Sequence, residues 1–516
     1  MTDATLPPLI EQMLRPEFYP HPVQEPIQLV QTHVSFVLLT GEFAYKVKKP
    51  VNFGFLDYST LEKRQQFCEA ELRLNQRGAA ELYLSVEPIT DQEGQFHLRG
   101  TGPVVEYALK MRQFPAGSLL SEQFASGALQ PAVMDELARV VADYHQASAV
   151  NDRIRSYGTV ERIREAYDEN YAQTAKYIGV PQTQAQYEAT QAYSDRFFAE
   201  RPNLFVERVK ADKVRECHGD LHLNNICVWQ GQVRLFDCIE FNEPFRFVDT
   251  MYDVAFLVMD LDARGASAWG NRFLNRYLEE TGDWEGVQVL PLYLSRQAYV
   301  RAKVSSFMLD DPAIPAAAKE KAGQQAADYY HLAYRYTLPQ QGRLLVMSGL
   351  SGSGKSTVAS ALAERLNAIH MRSDAVRKHL AGIGLRQKGG PEVYTPEMTE
   401  RTYTRLLDLG LLLAQQGWTV ILDAKYDRQA LRQTATQAAQ NAKIPLNWVV
   451  CEAPVDVLRQ RLGQRQGDIA DAGPDLLAQQ IAEAQPLTPP EQAQATPIQT
   501  DQPLEPQLDA VIAALS

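Results

Sequence analysis

The chain has 516 residues, 45% hydrophobic and 22% charged, with a formal net charge of −12. That length implies two or more domains, each with ample core, and the acidic balance argues against non-specific binding to nucleic acid or an anionic membrane, which needs a basic field. Five scattered cysteines without a C-x-x-C pair, no signal-peptide pattern and no apolar run of membrane-spanning length predict a cytoplasmic protein with reduced thiols and no zinc site.

In chain order, residues 1–26 are punctuated by proline and read as a leader of helix plus loop. Residues 27–47 read as two strands around a turn at Thr40-Gly41-Glu42. A helix is expected over 61–75, then strands over 83–89 and 104–114. From about 118 to 215 the pattern is helical. A short hairpin follows, 226–229 and 233–236 around Gln230-Gly231, and helical spacing returns from 248 to about 338. Residues 337–342 carry Pro339 and Gly342 without apolar periodicity and read as a linker. The domains are therefore expected at 27–336 and 343–516. In the second, strands at 344–347, 369–371, 419–423 and 447–453 alternate with helices, the pattern of a parallel doubly wound sheet. Residues 485–502, rich in Pro, Gln and Thr, read as partly disordered, ahead of a short helix at 506–515.

His218-Gly219-Asp220-Leu221-His222-Leu223-Asn224-Asn225 fits H-x-D-x-x-x-x-N, and Asp237 follows the hairpin. In kinase-fold enzymes this spacing puts an Asp and an Asn on one loop and a second Asp after the next hairpin. Asp220 would accept the proton of a substrate hydroxyl. Asn225 and Asp237 would supply the hard oxygen ligands that Mg²⁺ requires. His218 reads as a structural hydrogen-bonding residue, and His222 has no role assigned by spacing.

The same stretch resembles the HGDxHxxN…D motif of the aminoglycoside phosphotransferase and choline kinase families, over roughly residues 28–335. The resemblance implies a lysine on the third strand and a glutamate on the following helix, both serving the ATP phosphates. Lys46 is the first candidate and Lys48 the second; Glu71 is preferred, with Glu69 the alternative. It further implies an adenine-binding hinge near 111–114 and a structural role for Asp253. No G-x-G-x-x-G precedes the lysine, and residues 47–57 depart from the resistance enzymes' pattern.

Beyond the linker, an apolar run leads into Gly349-Leu350-Ser351-Gly352-Ser353-Gly354-Lys355-Ser356-Thr357 and then into apolar residues at helical spacing. Strand, G-x-x-x-x-G-K-S, helix is a P-loop. Its glycines, with Ser351 and Ser353, let backbone N–H groups close around phosphate oxygens; Lys355 reaches the outer phosphates; Ser356 can ligate Mg²⁺, with Thr357 beside it. Asp423 ends an apolar strand at the Walker-B-like position for metal. Ser373-Asp374-Ala375-Val376-Arg377 resembles the S-D-x-x-R signature of P-loop kinases such as polynucleotide 5′-kinase domains, gluconate-kinase-like enzymes and zeta-toxin-like proteins. That resemblance implies Asp374 as base and Arg377 as an acceptor-holding residue; a helix-capping Asp would sit at the same place. Residues 458–465 resemble the arginine-bearing lid helix of these families, with Arg461 and Arg465 four apart and so expected on one helical face.

The tandem of both constellations resembles bacterial bifunctional proteins in which an aminoglycoside-phosphotransferase-like domain is fused to an AAA-type P-loop domain. The fold expected is an α+β kinase-like two-lobed N-terminal domain followed by an α/β P-loop NTPase domain with a parallel sheet. The implied cofactors are ATP and Mg²⁺ at each of two sites, and the partner is a small-molecule hydroxyl acceptor such as a sugar, amino alcohol or nucleoside-like compound. Two rival readings are a polynucleotide 5′-hydroxyl kinase, against which the missing aromatic–basic stripe counts, and a nucleotide-binding regulator, against which the intact Asp220, Asn225 and Asp237 count.

Overall fold

A computed structural model of the chain describes residues 6–312 and 314–515. They form two compact units. The first takes the chain up to Val133 together with Asp143–Ala166 and Arg201–Leu257. The second takes Met134–Ala142, Tyr167–Glu200 and the chain from Val258 onward.

Unit one is built on an antiparallel sheet of six strands: β1 (Gln28–Gln31), β2 (Ser35–Leu39), β3 (Phe43–Lys48), β4 (Tyr83–Gln92), β5 (Gln95–Leu98) and β6 (Val104–Arg112). Their order is β1-β2-β3-β6-β4-β5, which puts β3 in the interior with Lys46 opposite Val37 on one side and Leu109 on the other. β5 is absent from the sequence reading because Gln-Phe-His-Leu is half polar and pairs only with β4. The leader belongs to the core of this sheet. Its helix, Pro8–Met13, buries Ile10 and Met13 against Leu38, Tyr45 and Ala108. The helix Leu61–Ala79 starts at Thr60, whose side chain accepts the Lys63 N–H. It buries Cys68, Glu71, Leu74 and Asn75, a spacing that defines one face. Further on, β7 (Val214–Glu216) pairs with β10 (Phe247–Asp249), and β8 (Ile226–Trp229) pairs with β9 (Gln232–Leu235). The first ladder brackets residues 217–246, and the second lies within that stretch.

Unit two contains a five-stranded parallel sheet of β11 (Arg343–Ser348), β12 (Ile369–Arg372), β13 (Thr419–Asp423), β14 (Leu446–Glu452) and β15 (Ala495–Gln499), in the order β12-β13-β11-β14-β15. The central β11 is fully buried from Leu344 to Met347, as a strand covered on both faces must be. Edge strand β12 gains partners from the helix Ser267–Thr281. Asn275 Oδ1 accepts the His370 N–H at 2.7 Å, and the Asn271 and Asn275 side-chain amides donate to Ala368 O at 3.0 and 2.9 Å. Exposed edge groups that would otherwise need water or another strand are satisfied this way.

β15 corrects the expectation of disorder over 485–502. Its Pro497 is tolerated because β15 is itself an edge strand, paired only with β14. The approach to it is held by Arg432, 1% exposed, whose guanidinium donates to Gln485 O, Pro486 O and the Glu491 carboxylate. Arg432 thus fastens a polar segment. Gly342, just before β11, is required by space: a Cβ there would lie 1.8 Å from Ala414 O. Gly342→Ala is expected to destabilise the protein by about 1–3 kcal/mol, read as a fall of several degrees in Tm; an unchanged Tm would show that the 341–343 backbone shifts freely.

Candidate functional site

In unit one, Lys46 and Lys48 are two apart on β3 and so share a face of the sheet. Both reach Glu71. Lys46 Nζ lies 2.7 Å from Glu71 Oε1 and 2.8 Å from Asp237 Oδ1. Lys48 Nζ lies 2.6 Å from Glu71 Oε2 and 2.5 Å from Glu240 Oε1, and Tyr58 donates its hydroxyl to Glu240. Glu69 instead accepts from Gln65 on the exposed helix surface. Burial alone would pull both ammonium groups down. Asp237 and Glu71 at Lys46, and Glu240 and Glu71 at Lys48, raise them instead. Burial pushes the Glu71 carboxyl up, and the two lysines more than reverse this, bringing it to about 2. Lys46, Lys48 and Glu71 are therefore charged at neutral pH, and Lys46 is the member that bridges sheet, helix and Asp237.

The loop carrying Asp220 is anchored from below. Asp253, fully buried, accepts the backbone N–H groups of His218 at 2.7 Å and Gly219 at 2.8 Å, and contacts His145 Nε2 at 3.2 Å. His218 Nε2 meets Phe236 O at 2.9 Å, so this nitrogen carries the proton, and burial pulls the ring's pKa down. Neutral His218 thus ties the loop to the end of the β8–β9 hairpin. Asn225 donates its side-chain amide to Asp220 O at 3.0 Å and Asp220 Oδ2 at 2.9 Å, leaving its amide oxygen as the atom a cation would meet. His222 Nε2 lies 3.3 Å from Asp220 Oδ2. Asp237 holds φ = 60° with its N–H directed to the Tyr83 hydroxyl at 3.1 Å, an uncommon conformation for a non-glycine residue and one that clusters at functional sites. Near the expected hinge, Gln113 Oε1 accepts the Gly41 N–H at 2.8 Å, and the Phe114 ring lies 5.4 Å from that of Phe236.

In unit two, β11 delivers the P-loop and the helix Lys355–Leu366 follows it. Gly349 has φ = 141°, and a Cβ there would lie 2.4 Å from Cys451 O; only glycine fits. Lys355 Nζ folds back to Leu350 O at 2.8 Å, and burial lowers its pKa against the pull of Asp423 and Asp374. Asp423, at the end of β13, meets His370 Nε2 at 3.1 Å. Burial pushes its carboxyl up, but His370 and the nearby Arg372 and Lys355 bring it to about 2. Asp374 lies in the first turn of the helix Ser373–Ala381, whose N-cap is Arg372; it is not the cap itself. Its carboxyl is raised, by burial first and by Asp423, against the opposing charges of Arg372 and Arg377.

Arg377 is buried and donates to Val393 O at 3.1 Å and Thr399 Oγ1 at 3.2 Å. Arg461 donates to Thr500 Oγ1 and O, both at 2.8 Å, and reaches Gly352 O at 3.4 Å, so it lies against the P-loop. Arg465 corrects the expectation of a shared helical face. The helix Val455–Gln464 ends before it, and Arg465 is extended, with φ = −62° and ψ = 124°, between Gly463 and Gly467, which weaken helix continuation. Gln480 Oε1 accepts the Ser351 N–H at 3.1 Å.

Four participants escaped motif reading. Lys48 was only an alternative, and Glu240, His222 and His370 had no assigned role. Glu240 carried one usable signal, a single carboxylate between Cys238-Ile239 and Phe241. His370, on β12, carried none.

A lysine–glutamate pair beneath an Asp–Asn loop, and a P-loop with paired carboxylates, are both phosphoryl-transfer arrangements. The protein is a kinase. A family model described as the phosphotransferase enzyme family matches residues 57–290, and one described as an AAA domain matches residues 344–487. An uncharacterised protein of Mycobacterium tuberculosis (strain ATCC 25618 / H37Rv) is 30% identical over 465 residues, covering 89% of this chain and 90% of that protein. The chain belongs to the family of that protein, and in this chain a phosphotransferase-family domain is joined to an AAA-type P-loop domain. An adenylyl-sulfate kinase of Myxococcus xanthus is 33% identical over 125 residues, 23% of this chain and 63% of that enzyme. Among solved structures, a choline/ethanolamine kinase family protein from Mesorhizobium loti aligns at a TM-score of 0.38 and 10% identity, covering 64% of this chain and 99% of that one. Among the described residues, no helix is long and apolar enough to cross a membrane.

Proposed function

We propose that the protein transfers the γ-phosphoryl group of ATP to hydroxyl groups of small molecules at two sites, one in residues 27–336 and one in residues 343–516, joined at 337–342. The observation that carries this reading is Lys46 Nζ within 2.8 Å of both Glu71 and Asp237, beside a loop on which Asn225 holds Asp220. In unit one, Asp220 takes the proton of the acceptor hydroxyl and Lys46 orients the phosphates. Asn225 and Asp237 form a hard-oxygen donor set that fits Mg²⁺. In unit two, Ser356 and Asp423 form the corresponding set, Lys355 and Arg461 hold the phosphates, and Asp374 is the base, with Arg377 fixing the wall behind it. Mg²⁺, when bound, neutralises charge on the β- and γ-phosphates. A cytoplasmic setting, where ATP is abundant, agrees with the five buried free thiols.

Incubation of the full chain with γ-labelled ATP and a metabolite extract, read by mass spectrometry, is expected to yield labelled phosphomonoesters, and none once Mg²⁺ is chelated. ATP binding without any transfer would leave a nucleotide-binding regulator. The unit-two site carries a pH signature. A base must be ionised, and the raised Asp374 carboxyl loses its charge as pH falls through a value above the ordinary aspartate value of about 3.9. The acid limb of this activity is therefore expected above that value and absent in Asp374→Asn, whose residual rate is pH-independent there. A limb at or below it would remove Asp374 as base.

A further inference from the structure

The ion pairs around Glu71 close into a ring, and the phosphoryl-transfer chemistry uses only half of it. Lys46 and Lys48 each take one oxygen of Glu71, at 2.7 and 2.6 Å. Each then reaches a carboxylate on the segment that follows the β8–β9 hairpin: Lys46 meets Asp237 at 2.8 Å, and Lys48 meets Glu240 at 2.5 Å. Asp237 and Glu240 are three apart in the chain, so this short segment is clamped twice to β3. Both clamps lean on the helix Leu61–Ala79 through the single Glu71 carboxylate.

The two clamps differ in what can reach them. The Asp237 side chain is 45% exposed and open to a cation, whereas Lys48 is 1% and Glu240 6% exposed. Tyr58 closes the second pair further, its hydroxyl accepting from Lys48 at 3.3 Å and donating to Glu240. The first pair is also the one that nucleotide must loosen. A cation at Asp237 competes with Lys46 for the carboxylate, and phosphate oxygens compete for the Lys46 ammonium. Asp237 then loses its tie to β3 while still holding φ = 60°, a conformation that persists only where the surroundings over-determine it. Neutral bonds remain: the Asp237 N–H to the Tyr83 hydroxyl, the Cys238 N–H to Asn75 Oδ1 and the Ile239 N–H to His218 O. Among the described residues, Lys48–Glu240 is the ion pair that still joins the segment to β3.

We infer that Lys48 and Glu240, with Tyr58, are positioning residues of the unit-one kinase site: their pair holds the 237–240 segment to β3 while nucleotide engages Lys46, and so keeps Asp237 where a divalent cation needs it. This rests on the reading of Lys46 as a phosphate group and Asp237 as a metal group. Lys48 and Glu240 act through the segment and through Glu71, not on the nucleotide. A buried pair repays its desolvation only with good geometry and further hydrogen bonds, and Glu71 and Tyr58 supply both. The clamp that nucleotide loosens and the clamp that it leaves alone are thus built from neighbouring lysines on one face of one strand.

The test uses the full chain in a Lys355→Met background, which weakens the P-loop half. The non-hydrolysable analogue AMPPNP is titrated calorimetrically with Mg²⁺ and with EDTA. Lys48→Met alone would strand a buried carboxylate, so it is combined with Glu240→Gln, which keeps an acceptor for the Tyr58 hydroxyl. In this double variant Tm is expected within about 4 °C of the parent and affinity in EDTA within about threefold. The gain in affinity from Mg²⁺ should fall by about tenfold or more. With AMPPNP bound, amide hydrogen exchange across residues 237–242 should speed up by about tenfold or more. Glu240→Gln alone, nearly the same size as the parent side chain, should show the same selective loss, smaller in extent. An intact Mg²⁺ gain with unchanged exchange in either variant overturns the clamp role. Losses that are equal with Mg²⁺ and with EDTA, and that follow Tm, also overturn it, because they show a pair that only stabilises the fold. Absence of Mg²⁺-dependent binding in the parent sinks the nucleotide reading of this half and the clamp role with it.

Discussion

Replacing Asp220 with asparagine is expected to lower phosphoryl transfer at the unit-one site by about 10²–10⁴-fold, the usual loss when a positioned general base is removed. The two side chains are nearly the same size, so the loop should keep its shape. Its main anchors, the two backbone N–H bonds to Asp253 and the His218–Phe236 bond, do not involve the Asp220 side chain. What is lost is the proton acceptor and the negative charge 3.3 Å from His222. Lys46, Glu71 and Asp237 are untouched, so nucleotide affinity should change by less than about threefold. The measurement is kcat with the acceptor found in the labelling experiment, together with ATP-analogue binding by fluorescence, both in a Lys355→Met background so that only this site reports. A kcat within threefold of the parent would mean that proton transfer here does not pass through Asp220. A matching collapse of ATP binding would mean that Asp220 shapes the nucleotide site.

The site was legible where chemistry forces residues into a short local pattern. The P-loop lies within nine consecutive residues, and the run from His218 to Asn225 with Asp237 lies within twenty. The β8–β9 hairpin was equally plain because Gln230-Gly231 breaks two apolar runs. Contacts made across long stretches of chain were not legible. Lys46 and Asp237 are 191 positions apart and Lys48 and Glu240 192 apart, and neither separation leaves a periodic trace. Exposed and buried lysines look alike in sequence, so ranking Lys46 ahead of Lys48 gave no sign that β3 turns both onto Glu71. Composition misled at β15. Pro, Gln and Thr signal disorder when no apolar face can be buried, but Ile498 is fully buried and Arg432 fastens the approach. Spacing misled at Arg465, since four residues share a face only while the helix continues.

Lys355→Met is the corresponding change in the second half, and its two effects have opposite signs. Lys355 is buried, its pKa is lowered by that burial, and among the described residues its close acceptors are Leu350 O and, at 3.5 Å, Ser353 Oγ. Asp423 and Asp374 offset the desolvation only in part. Methionine keeps most of the stem without a buried charge, so Tm of the nucleotide-free protein should hold or rise. With nucleotide the order reverses. The triphosphate supplies the countercharge that the apo site lacks, and the stabilisation gained on ATP binding follows from its affinity. That gain should fall sharply at this site, and turnover should drop by about 10²–10³-fold, as when one preorganised donor to a transition-state oxygen is removed. Differential scanning calorimetry with and without ATP, in an Asp220→Asn background, reads both effects. A lower apo Tm would show that the Leu350 bond holds the loop, and an undiminished ATP shift would place the triphosphate elsewhere. If Asp220→Asn alone, or Lys355→Met alone, silenced transfer to every acceptor, two independent sites would be untenable. Transfer in each half would then have to depend on an intact site in the other.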